Sequence, residues 1–423
     1  MTPVTTSLAD LQLTRYPDVH GTREPLRAWD AADEYLLRYL AGAMDATDLP
    51  SGVAAGPIDL SGTVVVFGDR WGALTTALAE HGPVQVTDSL LTQLATRANL
   101  SEIGIEPDTD HPVRLASTID PPPARIDVLL IRVPKSLALL EDQLRRLAPG
   151  IHPGTVVVGT GMVTEIHTST LDLFDQIIGP TKTSLAVRKA RLIFSTPDAA
   201  PDSDAAPGRP RAASPWPRTL TLPPDVGVAA DRTVVNHAGV FSGERLDLGA
   251  RFFLRNLPWE LGQSPGTPSR DKTVREPTRI VDLGCGNGVL GLAAALARPA
   301  AEVTFVDESY QAIASAKATM AANGLTSRTR FLVQDGLTAT PPDSVDLVLN
   351  NPPFHTHQTT TDETAWRMFT GSRTALRPGG ELWVVGNRHL QYHAKLRRLF
   401  GNCEVVAGDA KFVVLRAVKA VRS

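Results

Sequence analysis

The feature that most constrains the fold of this 423-residue chain is a regular alternation of short apolar runs with helix-like segments, which occurs twice. Such an alternation predicts a parallel sheet with helices packed on its faces. The apolar runs of the first half are residues 63–67, 84–87, 127–133 and 155–159, and those of the second half are residues 279–283, 303–307, 330–333, 345–349 and 381–385. We therefore predict two α/β units, in agreement with the chain length.

Several segments of the second half have clear boundary signals. Residues 309–322 form a predicted helix with Ser309 as its N-cap. The Arg-Pro-Gly-Gly run at 377–380 is interpreted as the end of another helix. Two runs at 403–406 and 412–418 predict an antiparallel strand pair that completes the sheet.

The two halves also resemble each other in sequence. The segment VVVFGDRWGALTTALAEHGPVQVTDS aligns with IVDLGCGNGVLGLAAALARPAAEVTFVDES so that Asp88 matches Asp307, and DVLLIRVPK aligns with DLVLNNPPF. This similarity favours two copies of one fold over a chance likeness of two α/β units. We predict tandem Rossmann-like domains.

A stretch rich in Pro, Ala and charge separates the two halves. Residues 198–218 read DAAPDSDAAPGRPRAASPWPR, which has the composition of a solvated linker. We therefore predict an amino-terminal domain at 1–197, a linker at 198–218 and a carboxy-terminal domain at 219–423.

Composition excludes several classes of protein. The formal net charge of -3 argues against nucleic-acid binding through overall positive charge. The two cysteines cannot form a disulfide framework, and the ten histidines show no metal-ligand spacing, so no metal is expected. The first ten residues lack a secretory signal, and no apolar run is long enough to span a membrane. A cytoplasmic monomer is expected.

A Gly-rich turn between a strand and a helix is the first candidate site. The residues expected to hold a cofactor there are Asp282, Gly284, Cys285, Gly286 and Gly288. Glycines allow a tight turn and a close approach of the backbone to a ligand. The acid two residues before Gly284 favours S-adenosylmethionine, whose cationic methionine end it could contact. A dinucleotide stays open, because Gly286, Gly288 and Gly291 also satisfy G-x-G-x-x-G.

Two acids follow the next two strands at the same predicted sheet edge. Asp307 is placed to accept hydrogen bonds from ribose hydroxyls, and Asp335 with Gly336 is placed to accept from an adenine amino group. The structural alternatives are a helix N-terminal acid for Asp307 and a turn residue for Asp335.

The run Asn350-Asn351-Pro352-Pro353-Phe354 directly follows a strand and supplies the candidate catalytic residues, which are Asn351, Pro352, Pro353 and Phe354. An amine conjugated to a base is a poor nucleophile. The Asn351 oxygen and the Pro352 carbonyl could hold both amine hydrogens and aim the lone pair at a sulfonium methyl, while Phe354 stacks on the base. A Pro-Pro turn can also be merely structural, but this one follows the Gly-rich turn and Asp307 in the chain, and that order of motifs favours methyl transfer. Asn351 is also expected to contact the cofactor.

With these residues in place, the sequence resembles the bacterial ribosomal RNA guanine-N2 methyltransferases. The resemblance covers nearly the whole chain, including segments 236–242 and 245–249 and the tail from Asn387 to Leu415, which is most similar to the large-subunit (23S) member. It implies S-adenosylmethionine as cofactor, ribosomal RNA or a subunit particle as partner, and a degenerate first domain used for substrate recognition or stability. An enzyme that methylates guanine N2 of 23S rRNA is therefore expected.

Other functions stay open at this point. They are a 16S rRNA enzyme, an Asn-Pro-Pro methyltransferase acting on adenine N6 or protein glutamine, and an RNA-binding protein without turnover. The expected degenerate domain has Arg70 and Trp71 at positions where the second domain has small residues. In place of the acceptor loop it has Arg132 and Lys135, which are interpreted either as phosphate contacts or as solvated side chains. The tail from residue 388 has eight Lys or Arg against two acids, which predicts a phosphate-contacting patch or a solvated face.

Overall fold

The computed structural model describes residues 4–16, 27–109, 111–198, 214–257, 278–353 and 358–421, with side chains described from 363 in the last range. The chain divides into two compact units, Met1–Pro215 and Trp216–Ser423.

The amino-terminal unit contains one seven-stranded sheet. Its strands are β1 (Val64–Phe67), β2 (Val84–Thr87), β3 (Arg114–Ser117), β4 (Ile126–Arg132), β5 (Ile151–Met162), β6 (Thr181–Thr183) and β7 (Ala190–Ser195). They lie in the order β3-β2-β1-β4-β5-β7-β6. The first five are parallel, and β7 is antiparallel to both of its neighbours.

Helices cover both faces of this sheet. They are α1 (Ala31–Leu40), α2 (Ala73–Ala77), α3 (Leu90–Glu102), α4 (Leu137–Leu147) and α5 (Thr168–Ile177), and short 3-10 turns lie at Leu8–Leu11, Ala46–Asp48, Ala79–His81 and Ala148–Gly150. Side chains alternate along a strand, so Val64 and Val66 pack against α1 and α2, while Val65 and Phe67 pack against α4 and α5. The core therefore has two layers, one on each side of the sheet.

The carboxy-terminal unit repeats this sheet. Its strands are β10 (Arg279–Leu283), β11 (Glu302–Asp307), β12 (Thr329–Val333), β13 (Val345–Asn350), β14 (Leu376–Asn387), β15 (Glu404–Gly408) and β16 (Phe412–Val418), preceded by the antiparallel pair β8 (Arg218–Thr221) and β9 (Thr233–Asn236). The order is β12-β11-β10-β13-β14-β16-β15, with β16 antiparallel to β14 and β15.

The helices of this unit also lie on two faces. They are α6 (Leu248–Asn256), α7 (Val289–Ala297), α8 (Tyr310–Ala322), α9 (Gln358–Ala375) and α10 (Tyr392–Phe400), and 3-10 turns lie at Gly227–Ala229 and Arg388–Leu390. The helices α6, α7 and α8 pack on the face of Ile280, and α9 and α10 pack on the face of Val281. Ser309 caps α8, since its hydroxyl accepts from the Ala312 amide at 3.0 Å, as predicted.

The two sheets have the same strand order, which confirms the predicted tandem Rossmann-like fold. The correspondence can be followed residue by residue. Phe67 pairs with Val86 in the first sheet, and Leu283 pairs with Val306 in the second. Thr87 therefore occupies the position of Asp307, and the predicted match of Asp88 with Asp307 was wrong by one residue.

The Arg-Pro-Gly-Gly run at 377–380 was also assigned wrongly. The preceding helix ends at Ala375, and the run lies inside the long strand β14. The pairing of β14 with β13 has an irregularity there, between Val345 and Leu347, and this accommodates the Pro and the glycines within the strand.

Most of the expected linker 198–218, namely residues 199–213, lies outside the described residues, so the linker stays a prediction. Its last residue, Arg218, already pairs with Asn236 as part of β8. Within the described ranges, no helix is long and apolar enough to cross a membrane. The same part of the chain contains no group of three or more His, Cys, Asp or Glu side chains that could hold a metal ion.

Candidate active site

The candidate residues meet at the carboxyl edge of the second sheet. The parallel strands β10, β11, β12 and β13 all end there, and each is followed by predicted site residues. Leu283 pairs with Asn350, so the Gly-rich turn and the Asn-Pro-Pro loop leave adjacent strands at the same height. Open α/β sheets bind ligands at this edge, beside the first strand, where the chain switches direction.

The backbone amides of the Gly-rich turn are used within the protein. The amides of Gly284 and Cys285 donate to the Val306 carbonyl at 2.8 and 3.0 Å. The Gly286 amide donates to Asp307 at 2.9 Å, and the Gly288 amide donates to the Cys285 carbonyl at 2.8 Å. A pyrophosphate needs free amide donors at such a turn. With these four amides engaged, the geometry disfavours the dinucleotide alternative.

The glycines of the turn have two different roles. A Cβ on Gly288 would meet Ala316 at 3.0 Å, and one on Gly291 would meet the Phe305 ring at 2.2 Å, so both glycines permit close packing of α7. Gly286 has a φ of +51° and open space where its Cβ would project. Only Gly286 therefore lies against space that a ligand could fill. Cys285 is buried in the core cluster of this unit, and burial raises the pKa of its thiol well above the usual value.

Asp282 belongs to strand β10, where it lies beside the start of α7 and is completely buried. Its Oδ2 accepts from the Gly291 amide at 2.8 Å, while its Oδ1 has no hydrogen-bond partner among the described residues. Burial raises the pKa of Asp282 to about 8, and the charge of Asp307 adds to the shift. The structure thus gives Asp282 a role in holding α7.

Asp307 connects two elements of the site. One carboxyl oxygen accepts from the Gly286 amide at 2.9 Å, and the other accepts from the Ser309 amide at 3.0 Å. Burial raises its pKa, and these backbone hydrogen bonds oppose the rise. The residue is half-buried, and its two hydrogen bonds give it the helix-terminal role and connect it to the Gly-rich turn.

Asp335 lies at the end of β12 with an unforeseen partner. Arg367 of α9 forms an ion pair with both of its carboxyl oxygens. Gly336 has a φ of +54° and open space at its Cβ position. An adenine amino group at Asp335 would therefore share the carboxylate with the guanidinium.

The Asn-Pro-Pro loop begins with two buried amide groups. Asn350 is completely buried, and its Nδ2 donates to the Leu283 carbonyl at 2.8 Å. The Nδ2 of Asn351 donates to Asp247 at 3.3 Å, whereas its Oδ1 is buried and has no hydrogen-bond partner among the described residues. Pro352 is buried and Pro353 is exposed. Phe354 lies outside the described residues, so its predicted stacking role stays a prediction.

Two further contacts of the site were not foreseen from the sequence. Asp247, the N-cap of α6, contacts Asn351 across 104 positions of the chain. Asn236 at the end of β9 accepts from the Asn287 side chain of the Gly-rich turn at 2.9 Å. Segments 236–242 and 245–249 were noted only for their family resemblance, and the sequence contained no signal for their partners.

The corresponding edge of the amino-terminal unit contains charged residues that pair with one another. Arg132 follows Leu130 by two residues, just as Asn351 follows Leu349, and these two leucines occupy matching positions in their sheets. The Arg132 side chain is completely buried. Its guanidinium nitrogens lie 2.6 Å from Asp30, 2.8 Å from Glu165 and 3.3 Å from Asp33. The prediction of a phosphate contact or a solvated side chain was therefore wrong for Arg132.

The pKa values of these groups reflect the network. Burial alone would lower the pKa of Arg132, but the neighbouring carboxylates outweigh burial and raise it. Burial also favours the neutral form of Glu165, yet the charges of Arg132 and Arg70 bring its pKa to about 2. Arg70 stands where the other unit has Gly286, and it pairs with the same Glu165. The edge that is open at Gly286 in one unit is occupied by two guanidinium groups in the other.

The basic tail is less positive than its composition suggests. Arg416 pairs with Glu381 and Glu404, and Lys419 pairs with Asp343 at 2.7 Å. Arg388, Arg397, Arg398 and Lys411 stay exposed. The phosphate-contacting patch therefore stays a prediction for these four side chains.

The fold and site define a methyltransferase-class protein with two tandem domains. One family model, described as the RLMG N-terminal domain, matches residues 1–199, and another, the methyltransferase small domain, matches residues 231–416. The chain is 60% identical over 416 residues to ribosomal RNA large subunit methyltransferase G of Streptomyces coelicolor, covering 98% of this chain and 100% of the relative. It is 44% identical to the protein of that name from Aeromonas hydrophila, covering 97% of each chain. The chain belongs to the ribosomal RNA large subunit methyltransferase G family, which confirms the family prediction.

A solved structure has the same fold. It is the T. thermophilus 16S rRNA N2 G methyltransferase in complex with AdoMet and guanosine, with a TM-score of 0.66 and 21% identity. The match covers 85% of this chain and 88% of that chain. It supports the tandem arrangement of the two domains.

Proposed function

We propose that this chain transfers a methyl group from S-adenosylmethionine to the exocyclic N2 amine of a guanine in ribosomal RNA of the large subunit. The observation that carries the proposal is the buried Asn351 Oδ1, an acceptor beside the Gly-rich turn for which the described residues offer no hydrogen-bond partner. Membership of a family named for large-subunit rRNA methylation, with near-complete coverage at 60% identity, supports the substrate class.

The residues at the sheet edge fit this cofactor. The Asp282 Oδ1 lacks a hydrogen-bond partner among the described residues and suits the cationic methionine end. The half-buried carboxylate of Asp307 suits ribose hydroxyls, and Asp335 with the space beside Gly336 suits the adenine amino group. When bound, S-adenosylmethionine supplies an electrophilic methyl group on a sulfonium.

Asn351 would prepare the amine for attack. Its Oδ1 accepts one amine hydrogen, and the carbonyl of the buried Pro352 is proposed to accept the other. With both hydrogens held, the nitrogen lone pair turns out of the base plane and points at the methyl carbon. The new N–C bond forms as the S–C bond breaks, and the amine then loses one proton to solvent. The acceptors are fixed before the reaction and stabilise positive charge developing on the nitrogen.

The amino-terminal unit is proposed to serve substrate recognition or stability without binding cofactor. The buried Arg132 network supports this, because guanidinium groups stand where the other unit has Gly286 and Asn351. Thr87 also stands at the position of Asp307, the residue proposed to contact the ribose in the other unit. We propose a cytoplasmic location from the nature of the substrate, and the monomeric state stays a prediction.

The test is a methyl-transfer assay on in vitro transcribed 23S rRNA with labelled S-adenosylmethionine, followed by digestion to nucleosides. We expect label in N2-methylguanosine. In vitro transcribed 16S rRNA and protein-loaded large subunits from cells lacking the gene serve as parallel substrates. Label in N6-methyladenosine would contradict the proposed base. Label only on protein glutamine would contradict RNA as the substrate, and label only in 16S rRNA would contradict the assignment to the large subunit. Absence of label with every substrate would favour an RNA-binding protein without turnover.

A further inference from the structure

We infer that Asp247 is a positioning residue that fixes the orientation of the Asn351 amide. The Nδ2 of Asn351 lies 3.3 Å from Asp247 Oδ2. A carboxylate only accepts hydrogen bonds, so it selects the nitrogen end of an amide that could otherwise rotate by half a turn. The oxygen end then points away from Asp247. This inference rests on the proposed methyl transfer.

Asp247 is itself held firmly by the start of α6. The same Oδ2 accepts from the Ala250 amide at 2.8 Å, and the Arg251 amide donates to the Asp247 carbonyl at 2.8 Å. The helix is anchored through the buried Phe253 and Leu254. A helix N-cap that is fixed to the core is a rigid reference point for a neighbouring side chain.

The oxygen of Asn351 is left buried without a partner among the described residues. Leaving a buried acceptor unpaired is unfavourable, but rotating the amide would aim this oxygen at a carboxylate. The contact with Asp247 therefore maintains an acceptor that no described residue satisfies and that a bound ligand can complete. This is the orientation that an amine substrate requires.

The amino-terminal unit contains the same pair of positions. Asp30 is the N-cap of α1, where its side chain accepts from the Ala32 amide, and it lies 2.6 Å from Arg132. Arg132 occupies the Asn351 position and has only donors. The contact between an N-cap Asp and a residue at the carboxyl end of the fourth parallel strand thus occurs in both units. At this position Asn351 of the carboxy-terminal unit also offers an acceptor, whereas Arg132 of the amino-terminal unit does not.

The decisive variant is Asp247→Ser. Its hydroxyl can still cap α6, but the side chain is too short to reach the Asn351 nitrogen, so the contact that selects the nitrogen end of the amide is lost. We expect kcat on in vitro transcribed 23S rRNA to fall about 10-fold or more. The Kd for S-adenosylmethionine and the Tm should stay close to those of the wild type.

A conservative variant separates orientation from structure. In Asp247→Asn the side-chain oxygen can take the place of Oδ2 and accept from both the Ala250 amide and the Asn351 nitrogen. We expect Asp247→Asn to be about 10-fold or more faster than Asp247→Ser. The single variant Asn351→Asp, which brings two carboxyl groups into contact, should be slow.

The inference would be overturned by a near wild-type kcat in Asp247→Ser. An Asp247→Asn variant no faster than Asp247→Ser would also overturn it, as would losses of kcat that merely follow losses of Tm. Inactive wild-type enzyme on every RNA substrate would instead refute the proposed function, so the two failures are distinguishable.

Discussion

Arg132 in the amino-terminal unit stands at the position that Asn351 occupies in the carboxy-terminal unit. Arg132 is completely buried and contacts the carboxylates of Asp30 and Glu165, whereas Asn351 contacts one carboxylate and keeps a buried acceptor. One sheet order therefore supports two different edges. One is closed by internal ion pairs, and the other is prepared for a ligand.

The first prediction concerns the stability of the closed edge. Arg132→Ala should destabilise the amino-terminal unit by about 3–5 kcal/mol, because it leaves buried carboxylates without their cation. Urea unfolding followed by circular dichroism would measure this. The control is Arg188→Ala, whose side chain is 77% exposed in its pair with Glu34 and should change stability by less than about 1 kcal/mol. Equal effects of the two variants would show that the network is not a structural element.

The second prediction concerns the pH dependence of stability. The pKa of Asp282 is raised from 3.8 to about 8, so the folded protein holds this proton more firmly than the unfolded chain. The resulting stabilisation is complete below about pH 4 and declines by about 1.4 kcal/mol per pH unit until about pH 8. Asp282→Asn removes this titration. The wild-type free energy of unfolding, minus that of the variant, should therefore fall between pH 5 and pH 7.5, and parallel pH profiles would refute the assignment.

The third prediction concerns cofactor affinity. Asp307→Ala should weaken S-adenosylmethionine binding by a few kcal/mol, since hydrogen bonds to a charged group contribute roughly 1.5–3 kcal/mol each. Isothermal titration with the full chain would measure Kd and the number of sites. Glu302→Ala, at the other end of the same strand, is the control and should bind as the wild type does. An unchanged Kd in Asp307→Ala would leave Asp307 only its contacts with Gly286 and Ser309.

Much of the fold could be predicted because buried parallel strands appear as continuous apolar runs. The strands Arg279–Leu283 and Phe412–Val418 have the predicted bounds. Most of the other predicted strands were found with small errors at their ends, where hydrogen bonding rather than hydrophobicity decides the limit. The strands Ile151–Met162 and Leu376–Asn387 extend well beyond the predicted runs 155–159 and 381–385, and β3, β6, β7, β8 and β9 were not predicted. The run at 377–380 was misassigned because Pro and Gly usually end helices, whereas here the strand irregularity accommodates them.

The partners of charged residues could not be predicted. A cationic side chain at the end of a strand is usually solvated. Arg132 is instead buried and pairs with the carboxylate of Asp30, which lies 102 positions away in the chain. The positions of Asp88 and Thr87 were confused because sheet register depends on backbone pairing that the sequence alone does not display. The Asn-Pro-Pro loop was recognisable, but the orientation of Asn351 depends on Asp247, which lies on a distant helix.

If Asn351 offers its oxygen to the amine during methyl transfer, Asn351→Ala should slow the chemical step without weakening cofactor binding. Single-turnover assays on in vitro transcribed 23S rRNA would give the rate of the chemical step, with S-adenosylmethionine affinity measured in parallel. We expect a fall of on the order of 10²-fold or more in that rate and a nearly unchanged Kd, because the contact matters most as the nitrogen becomes tetrahedral. A rate close to that of the wild type would show that Asn351 does not have this role.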